Sequence, residues 1–126
     1  MNKQELINKT EKYIMDIPEI KNRIIEINNK INNNKIISKD ELGMLKKEER
    51  YLQIKIEKIR NAMDILDEKE QKIICYRFFE NMSFSSISSN LGYKGSYCGN
   101  KKLNNLLLKT GGYIFIGDIM LEGLED

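Results

Sequence analysis

The chain has 126 residues and a formal net charge of +2, and it contains two cysteines, one proline and no histidine. Without histidine, Ser-His-Asp and Cys-His nucleophile systems are excluded, and two cysteines far apart in the sequence form no clustered soft-ligand metal site. The polar N-terminus lacks the apolar core of a secretory signal, and no apolar run approaches the roughly 20 residues of a membrane-spanning helix. We therefore expect a cytoplasmic protein that is not an enzyme and has no metal, cofactor or membrane contact.

Two amphipathic helices are predicted at the start of the chain. Residues 3–15 form a short helix with an incomplete apolar face, and Pro18 favours the first turn of a second helix. Isoleucines of the second helix are spaced four, three and four residues apart, which is the heptad-like spacing of a coiled-coil seam. These residues are Ile20, Ile24, Ile27 and Ile31.

A third predicted helix carries a second narrow apolar stripe. Ser38 is followed three residues later by Glu41, which is the signature of a capping box, and a seven-residue apolar repeat runs from Leu45 to Leu66. Two such helices joined by a short loop pack as an antiparallel hairpin, either within one chain or against a second copy. We therefore assign residues 1–65 to a coiled-coil-like helical hairpin that is a possible dimerisation region.

Two further helix starts are visible in the C-terminal half. Asp67 followed by Glu70 is a good N-cap and capping box, and Ser83 is a second N-cap candidate. Gly92 suits the positive φ that ends a helix. Between Ser83 and Gly92 one helical face is apolar. Its residues are Phe84, Ile87 and Leu91.

A basic helix is predicted after the glycine turn. It should begin near Gly95 or Ser96, and the stretch from Lys94 to Lys109 contains four lysines and no acidic residue. A short helix, a tight glycine turn and a second helix set across it define a helix-turn-helix. We assign it to residues 66–110, within an all-α fold. The alternative is a small helical bundle with a solvated lysine face.

Side chains that can reach DNA cluster at the starts of these two helices. Serines can bind phosphate at a helix N-terminus, and lysines supply salt-dependent attraction to phosphate. Asn100 and Asn104 are the candidates for reading base edges, whereas Lys101 and Lys102 should mainly bind phosphate. The candidate DNA-binding residues are Ser83, Ser85, Ser86, Lys94, Ser96, Tyr97, Asn100, Lys101, Lys102 and Asn104.

Residues 66–107 resemble region four of bacterial sigma factors. The family has alanine where this chain has Ser88, and the arginines of its recognition helix are absent here. No region two is present, and an N-terminal helical hairpin with this C-terminal module is similar to phage late-gene regulators of the ArpU-like and RinA-like type. The matching residues are Leu66, Glu70, Arg77, Phe78, Ser83, Ile87, Ser88, Leu91, Gly92, Ser96 and Tyr97.

This resemblance implies a function and partners. The expected function is sequence-specific binding of double-stranded DNA by a transcriptional regulator, a phage or prophage late-gene activator. RNA polymerase is a candidate partner, and the narrow apolar stripes of the N-terminal half favour a homodimer. Two alternatives stay open. One is a small terminase-like DNA-binding packaging subunit, which a ring-sized oligomer would favour. The other is a protein-interaction module that docks on RNA polymerase without touching DNA.

The end of the chain changes character. Gly111 and Gly112 are predicted to end the basic helix, and residues 111–126 form an acidic tail that follows a short β-branched and aromatic run. Three roles are open for the tail: it covers the exposed face of the module, it competes with DNA for the basic helix, or it contacts RNA polymerase.

Overall fold

The computed structural model describes residues 1–33, 37–95 and 97–124. The predicted all-α class is confirmed, because the described residues form helices and no β-strand. None of the helices in those ranges is long and apolar enough to cross a bilayer. In chain order they are α1 (Lys3–Met15), α2 (Ile17–Asn33), α3 (Lys39–Met63), α4 (Glu68–Phe78), α5 (Phe84–Asn90), α6 (Asn100–Ile114) and α7 (Ile116–Glu122).

The first helix belongs with the C-terminal half of the chain. Met1–Met15 and Ile59–Asp126 form one compact unit, and Asp16–Lys58 forms the other. The predicted boundary after residue 65 does not follow these units, because α1 makes its main contact with α6. The apolar face of α1 is therefore completed by a helix about a hundred residues further along the chain. Its buried residues are Leu6, Ile7, Thr10 and Ile14.

A glycine allows α1 and α6 to approach closely. A Cβ at Gly111 would collide with the Thr10 hydroxyl and would lie 3.1 Å from Leu6 Cδ1. The buried Thr10 hydroxyl donates to the Leu6 carbonyl oxygen at 2.7 Å, so it keeps a partner inside the contact. The prediction that Gly111 and Gly112 end the helix is wrong: α6 continues to Ile114. Gly111 serves packing between helices and does not terminate one.

Ion pairs connect α2 with α3 within the unit Asp16–Lys58. Arg23 Nε lies 2.6 Å from Glu48 Oε2, and Lys30 Nζ lies 3.0 Å from Glu41 Oε1. Residue numbers rise along α2 while those of the partners fall along α3, so the two helices run in opposite directions where they are bridged. The predicted capping contact is present too, because the Glu41 N–H donates to Ser38 Oγ at 3.1 Å.

The apolar seam of α2 is close to the predicted one. Three of the four predicted isoleucines are buried, but Ile31 is only half-buried. Ile17 is buried in addition, one full heptad before Ile24. The seam therefore begins one turn earlier than predicted and ends one turn earlier. The buried residues of α2 are Ile17, Ile20, Ile24 and Ile27.

Candidate nucleic-acid interface

Helix α4 begins with the predicted capping box. Asp67 Oδ1 accepts from the Glu70 N–H at 2.8 Å, and Glu70 Oε1 accepts from the Asp67 N–H at 3.1 Å. The other carboxylate oxygen of Glu70 lies 3.3 Å from Lys109 Nζ and 3.7 Å from Lys102 Nζ. The Glu70 side chain is only 11% exposed. One nearly buried carboxylate thus caps α4 and binds two lysines of α6.

Helix α5 begins at the predicted cap. Ser83 Oγ accepts from the Ser86 N–H at 3.1 Å and donates to Ser86 Oγ at 3.0 Å. The oxygen of Ser83 is therefore occupied by the helix itself. Ser85 and Ser86 are exposed. Among the three candidate serines at this end, Ser85 is the one whose hydroxyl is not used in these cap contacts.

Two contacts fix the turn after α5. Gly92 has φ +76°, as predicted, and the Tyr93 N–H donates to the Ser88 carbonyl oxygen at 2.9 Å. The Ser88 hydroxyl in turn accepts from the Cys98 N–H at 3.1 Å, and both side chains are buried. The hydroxyl anchors the chain that leads into α6. Cys98 faces inward.

The basic helix starts later than predicted. Its first residue is Asn100 and its N-cap is Gly99, so the prediction of a start near Gly95 or Ser96 is wrong. Gly95 has φ +62°, a left-handed conformation that a helix does not tolerate, and Gly99 is extended with no side chain to cap the helix. Ser96 lies outside the described residues.

Burial divides the candidate residues of α6 into two groups. Asn100 and Lys101 are exposed, whereas Lys102 and Asn104 are half-buried. Asn105, which was not predicted, is exposed and lies one turn after Lys101, so both face the same way. The periodicity of the buried positions was the available signal, because the opposite face of the helix contains residues 101 and 105. The buried leucines of α6 are Leu103, Leu106 and Leu107.

Lys102 has partners inside the protein. Its ammonium group lies 3.7 Å from Glu70 Oε2 and 5.6 Å from the centre of the Tyr97 ring, and its side chain is 27% exposed. Burial lowers the pKa of Lys102, but Tyr97 and Glu70 outweigh that effect, and the pKa lies above its ordinary value. The geometry supports a structural role, and the phosphate contact stays a prediction.

An aromatic pair stands beside the turn. The ring centres of Tyr93 and Tyr97 are 4.3 Å apart, and the Lys69 ammonium group lies 4.9 Å from the centre of the Tyr93 ring. Burial, with Tyr97 nearby, raises the pKa of Tyr93. Tyr97 is 53% exposed. Its ring is held by its neighbours, yet about half of the residue stays exposed.

The surface formed by the turn and the start of α6 is positively charged. No acidic residue occurs between Glu80 and Asp118. Lys94 and Lys101 are exposed, and neither makes an ion pair with any described residue. We call Lys94, Tyr97, Asn100, Lys101 and Asn105 the α6 face.

Arg77 connects α4 with the start of α5. Its Nη1 donates to the Met82 carbonyl oxygen at 3.1 Å, and its guanidinium group lies 4.0 Å from the centre of the Phe84 ring. Its partners are therefore a backbone carbonyl and an aromatic ring, a contact that suits the planar guanidinium group.

Comparisons with known proteins return no relatives. No family model matches the chain, and neither a curated protein nor a solved structure matches it. The likeness to sigma region four therefore rests on the motif residues alone.

Proposed function

We propose that the protein is a sequence-specific DNA-binding transcriptional regulator. The proposed helix-turn-helix consists of α5 and α6, with α4 packed against both. The observation that carries the proposal is the α6 face, whose two lysines, one tyrosine and two asparagines are all exposed within residues 94–105. Lysine binds phosphate, and asparagine pairs with adenine in the major groove.

The internal contacts support this assignment because they hold α6, the proposed base-reading helix, in place. The first residues of the second helix contact base edges in helix-turn-helix proteins, so that helix needs a fixed position. The bond between Ser88 and Cys98 anchors its approach, and Glu70 holds Lys102 and Lys109 further along. A preorganised binding surface loses less entropy when its ligand binds.

Within this proposal the α6 residues have distinct roles. Lys94 and Lys101 bind phosphate, which supplies affinity for any sequence. Asn100 and Asn105 read base edges, which supplies specificity. Asn104 is a weaker candidate for base reading than Asn105, since it is half-buried.

The wider expectations from the resemblance belong to the same proposal. The protein acts in the cytoplasm on phage or prophage late genes, and it binds DNA as a homodimer. The antiparallel helices α2 and α3 form a coiled-coil-like hairpin that is the candidate dimerisation region. A sedimentation-equilibrium measurement that gives a strict monomer at tens of micromolar would exclude the dimer without touching the DNA-binding proposal.

Two single substitutions on one helix test the proposal. Lys101→Gln removes an unpaired cation from the α6 face, and Lys109→Gln removes a cation that is bound to Glu70. Both change the net charge equally. We expect affinity for duplex DNA to fall several-fold for Lys101→Gln and much less for Lys109→Gln, measured by fluorescence anisotropy. Equal losses would mean that only total charge matters, and the α6 face would not be the DNA contact.

A second function is favoured by one other observation. Helix α7 exposes a group of apolar side chains next to acidic ones, and exposed apolar patches mark protein contacts. A regulator that docks on RNA polymerase would use such a surface. If the folded protein binds no DNA at low salt, this protein-interaction function replaces the first. The exposed apolar residues of this surface are Ile116, Met120, Leu121 and Leu124.

A further inference from the structure

Acidic side chains of α3 contact α2, whereas several of its basic side chains lie on the opposite side. Glu41 and Glu48 are bound by Lys30 and Arg23. These two acidic residues of α3 therefore face α2 and are paired with its cations. Glu49 also faces α2, where the Asn28 amide donates to its carboxylate at 3.2 Å in the orientation that satisfies that amide.

The opposite face of α3 keeps its cations. None of them makes an ion pair with a described residue, and all are exposed. The exposed acidic residues of α3 are Asp40, in its first turn, and Glu57, beside the last cation. Between these two positions the exposed charged residues are all basic, and Lys58 follows directly after Glu57. The cations are Lys46, Lys47, Arg50 and Lys58.

The exposed apolar residues on this face are interrupted by cations. Met44, Tyr51 and Ile54 are exposed; Lys47 lies between Met44 and Tyr51 on the same side of the helix, and a lysine follows one turn after Ile54. The Lys55 ammonium group lies 5.1 Å from the centre of the Tyr51 ring, so a cation covers the aromatic surface. A helix that lies in a membrane surface presents a continuous apolar face, and this helix does not.

We propose that this face of α3, defined by Lys46, Lys47, Arg50, Tyr51 and Lys58, binds the phosphate backbone of duplex DNA. The inference rests on the proposed function in one respect, namely that duplex DNA is the ligand of this protein. The contact is separate from the α6 face and carries no sequence information. Lysine and arginine neutralise phosphates, and a tyrosine hydroxyl donates a hydrogen bond to a phosphate oxygen.

The dimensions of the helix fit this ligand. Lys47 and Lys58 are eleven residues apart, which is about 16 Å along an α-helix. Duplex DNA carries one negative charge per roughly 1.7 Å of its axis, so several phosphates lie within that length. A helix of this kind adds affinity for any sequence and raises the salt dependence of binding.

The test is the salt dependence of DNA binding by the full chain. Lys47→Gln/Arg50→Gln removes two cations from the α3 face, and Lys21→Gln/Lys72→Gln removes two exposed cations elsewhere. Each lost phosphate contact flattens the plot of log affinity against log salt by about 0.9. We expect the α3 variant to flatten the slope by about 2 and to weaken binding on the order of tenfold at 0.1 M salt, equally for specific and random duplexes.

The outcomes separate this inference from the proposed function. Lys94→Gln/Lys101→Gln is measured in parallel. If that variant flattens the slope and the α3 variant matches the Lys21/Lys72 control, the α3 contact is refuted and the proposed function stands. If only the α3 variant flattens the slope, the α3 contact stands and the α6 face is not the DNA contact. No DNA binding by the folded wild type overturns both.

A second pair of substitutions guards against loss of folding. Lys47→Ala/Arg50→Ala changes the same exposed positions to the residue with the highest helix propensity, so α3 should remain helical by circular dichroism. This pair should give the same flattened slope as the glutamine pair. An unchanged slope in the folded alanine variant overturns the α3 contact.

Discussion

The hydroxyl of Ser88 accepts a hydrogen bond from the backbone N–H of Cys98 at 3.1 Å, and both residues are buried. This bond joins α5 to the segment that leads into α6 across ten residues. It places a polar group inside the module without leaving it unsatisfied. It also shows how the turn between two short helices keeps one geometry although it contains two glycines with positive φ, Gly92 and Gly95.

Removing this hydroxyl should destabilise the module. Ser88→Ala leaves the buried N–H of Cys98 without its partner, and an unsatisfied buried donor costs about 1–3 kcal/mol. The control is Ser89→Ala, since Ser89 is exposed on the same helix and should change stability by less than about 0.5 kcal/mol. Urea unfolding measures both. A Ser88→Ala protein as stable as the control would show that the bond does not hold the turn.

The crossing of α1 and α6 should not tolerate a larger residue at Gly111. The Cβ of Gly111→Ala collides with the Thr10 hydroxyl, and overpacking of this kind costs about 1–3 kcal/mol. Gly112→Ala meets nothing within 4 Å and should stabilise the helix by up to about 1 kcal/mol. Thr10→Ala combined with Gly111→Ala should recover part of the loss. Equal thermal stability of the two single alanine variants would contradict the close approach.

Removing the carboxylate of Glu70 should destabilise the protein more than removing that of Glu68. Glu70→Ala removes a capping interaction and the partner of Lys102 and Lys109, so we expect a loss of about 2 kcal/mol or more. Glu68→Ala removes an exposed pair with Lys72 and should cost less than about 1 kcal/mol. Chemical denaturation monitored by circular dichroism compares them. A loss for Glu70→Ala no larger than that for Glu68→Ala would remove its assigned role.

The contact between α2 and α3 should weaken in acid. The hydrogen bond from Arg23 holds the pKa of Glu48 below its ordinary value of 4.5. Because the pKa of Glu48 is lower in the folded state, the ion pair stabilises the protein above about pH 4.5. This stabilisation is lost as the pH falls through the folded-state pKa. We expect Glu48→Gln to lower stability at pH 7 and to reduce the loss between pH 5 and pH 2. Glu57→Gln, at an exposed position, is the control, and an identical pH profile for both variants would contradict this effect.

Local signals in the sequence were sufficient for the helix starts in the C-terminal half. The caps at Asp67 and Ser83 and the turn at Gly92 each depend on residues within four positions of one another. A capping oxygen finds its N–H donor in the next turn whatever the rest of the chain does. The all-α fold and the buried side of α5 were also predictable from local patterns in the sequence.

Contacts between distant residues were not predictable. The partner of α1 is α6, and a pattern with Leu6, Ile7 and Ile14 shows that a face is buried without showing against what. Gly111 follows the same rule, because a glycine that ends a helix and a glycine that admits a neighbouring helix look alike in the sequence. The close approach to Thr10 distinguishes them only in three dimensions.

The candidate DNA face was predictable in composition but not in detail. The lysines and asparagines after the turn were recognised, but the predicted start of α6 was several residues early. Because α6 starts at Asn100 and packs one side against α1, Asn105 is exposed and Asn104 is half-buried. The ionic partner of Lys102 is Glu70, thirty-two residues earlier, which no local spacing indicates.

The central proposal is that the α6 face binds DNA. The direct measurement is a titration of labelled duplex DNA with the full chain at about 50 and 200 mM salt, with wild type beside Lys94→Gln/Lys101→Gln. We expect salt-steep binding by the wild type and a slope flatter by about 2 in the variant. Folded wild type that binds no duplex at the lower salt, or a variant with the wild-type affinity and slope, would contradict the claim.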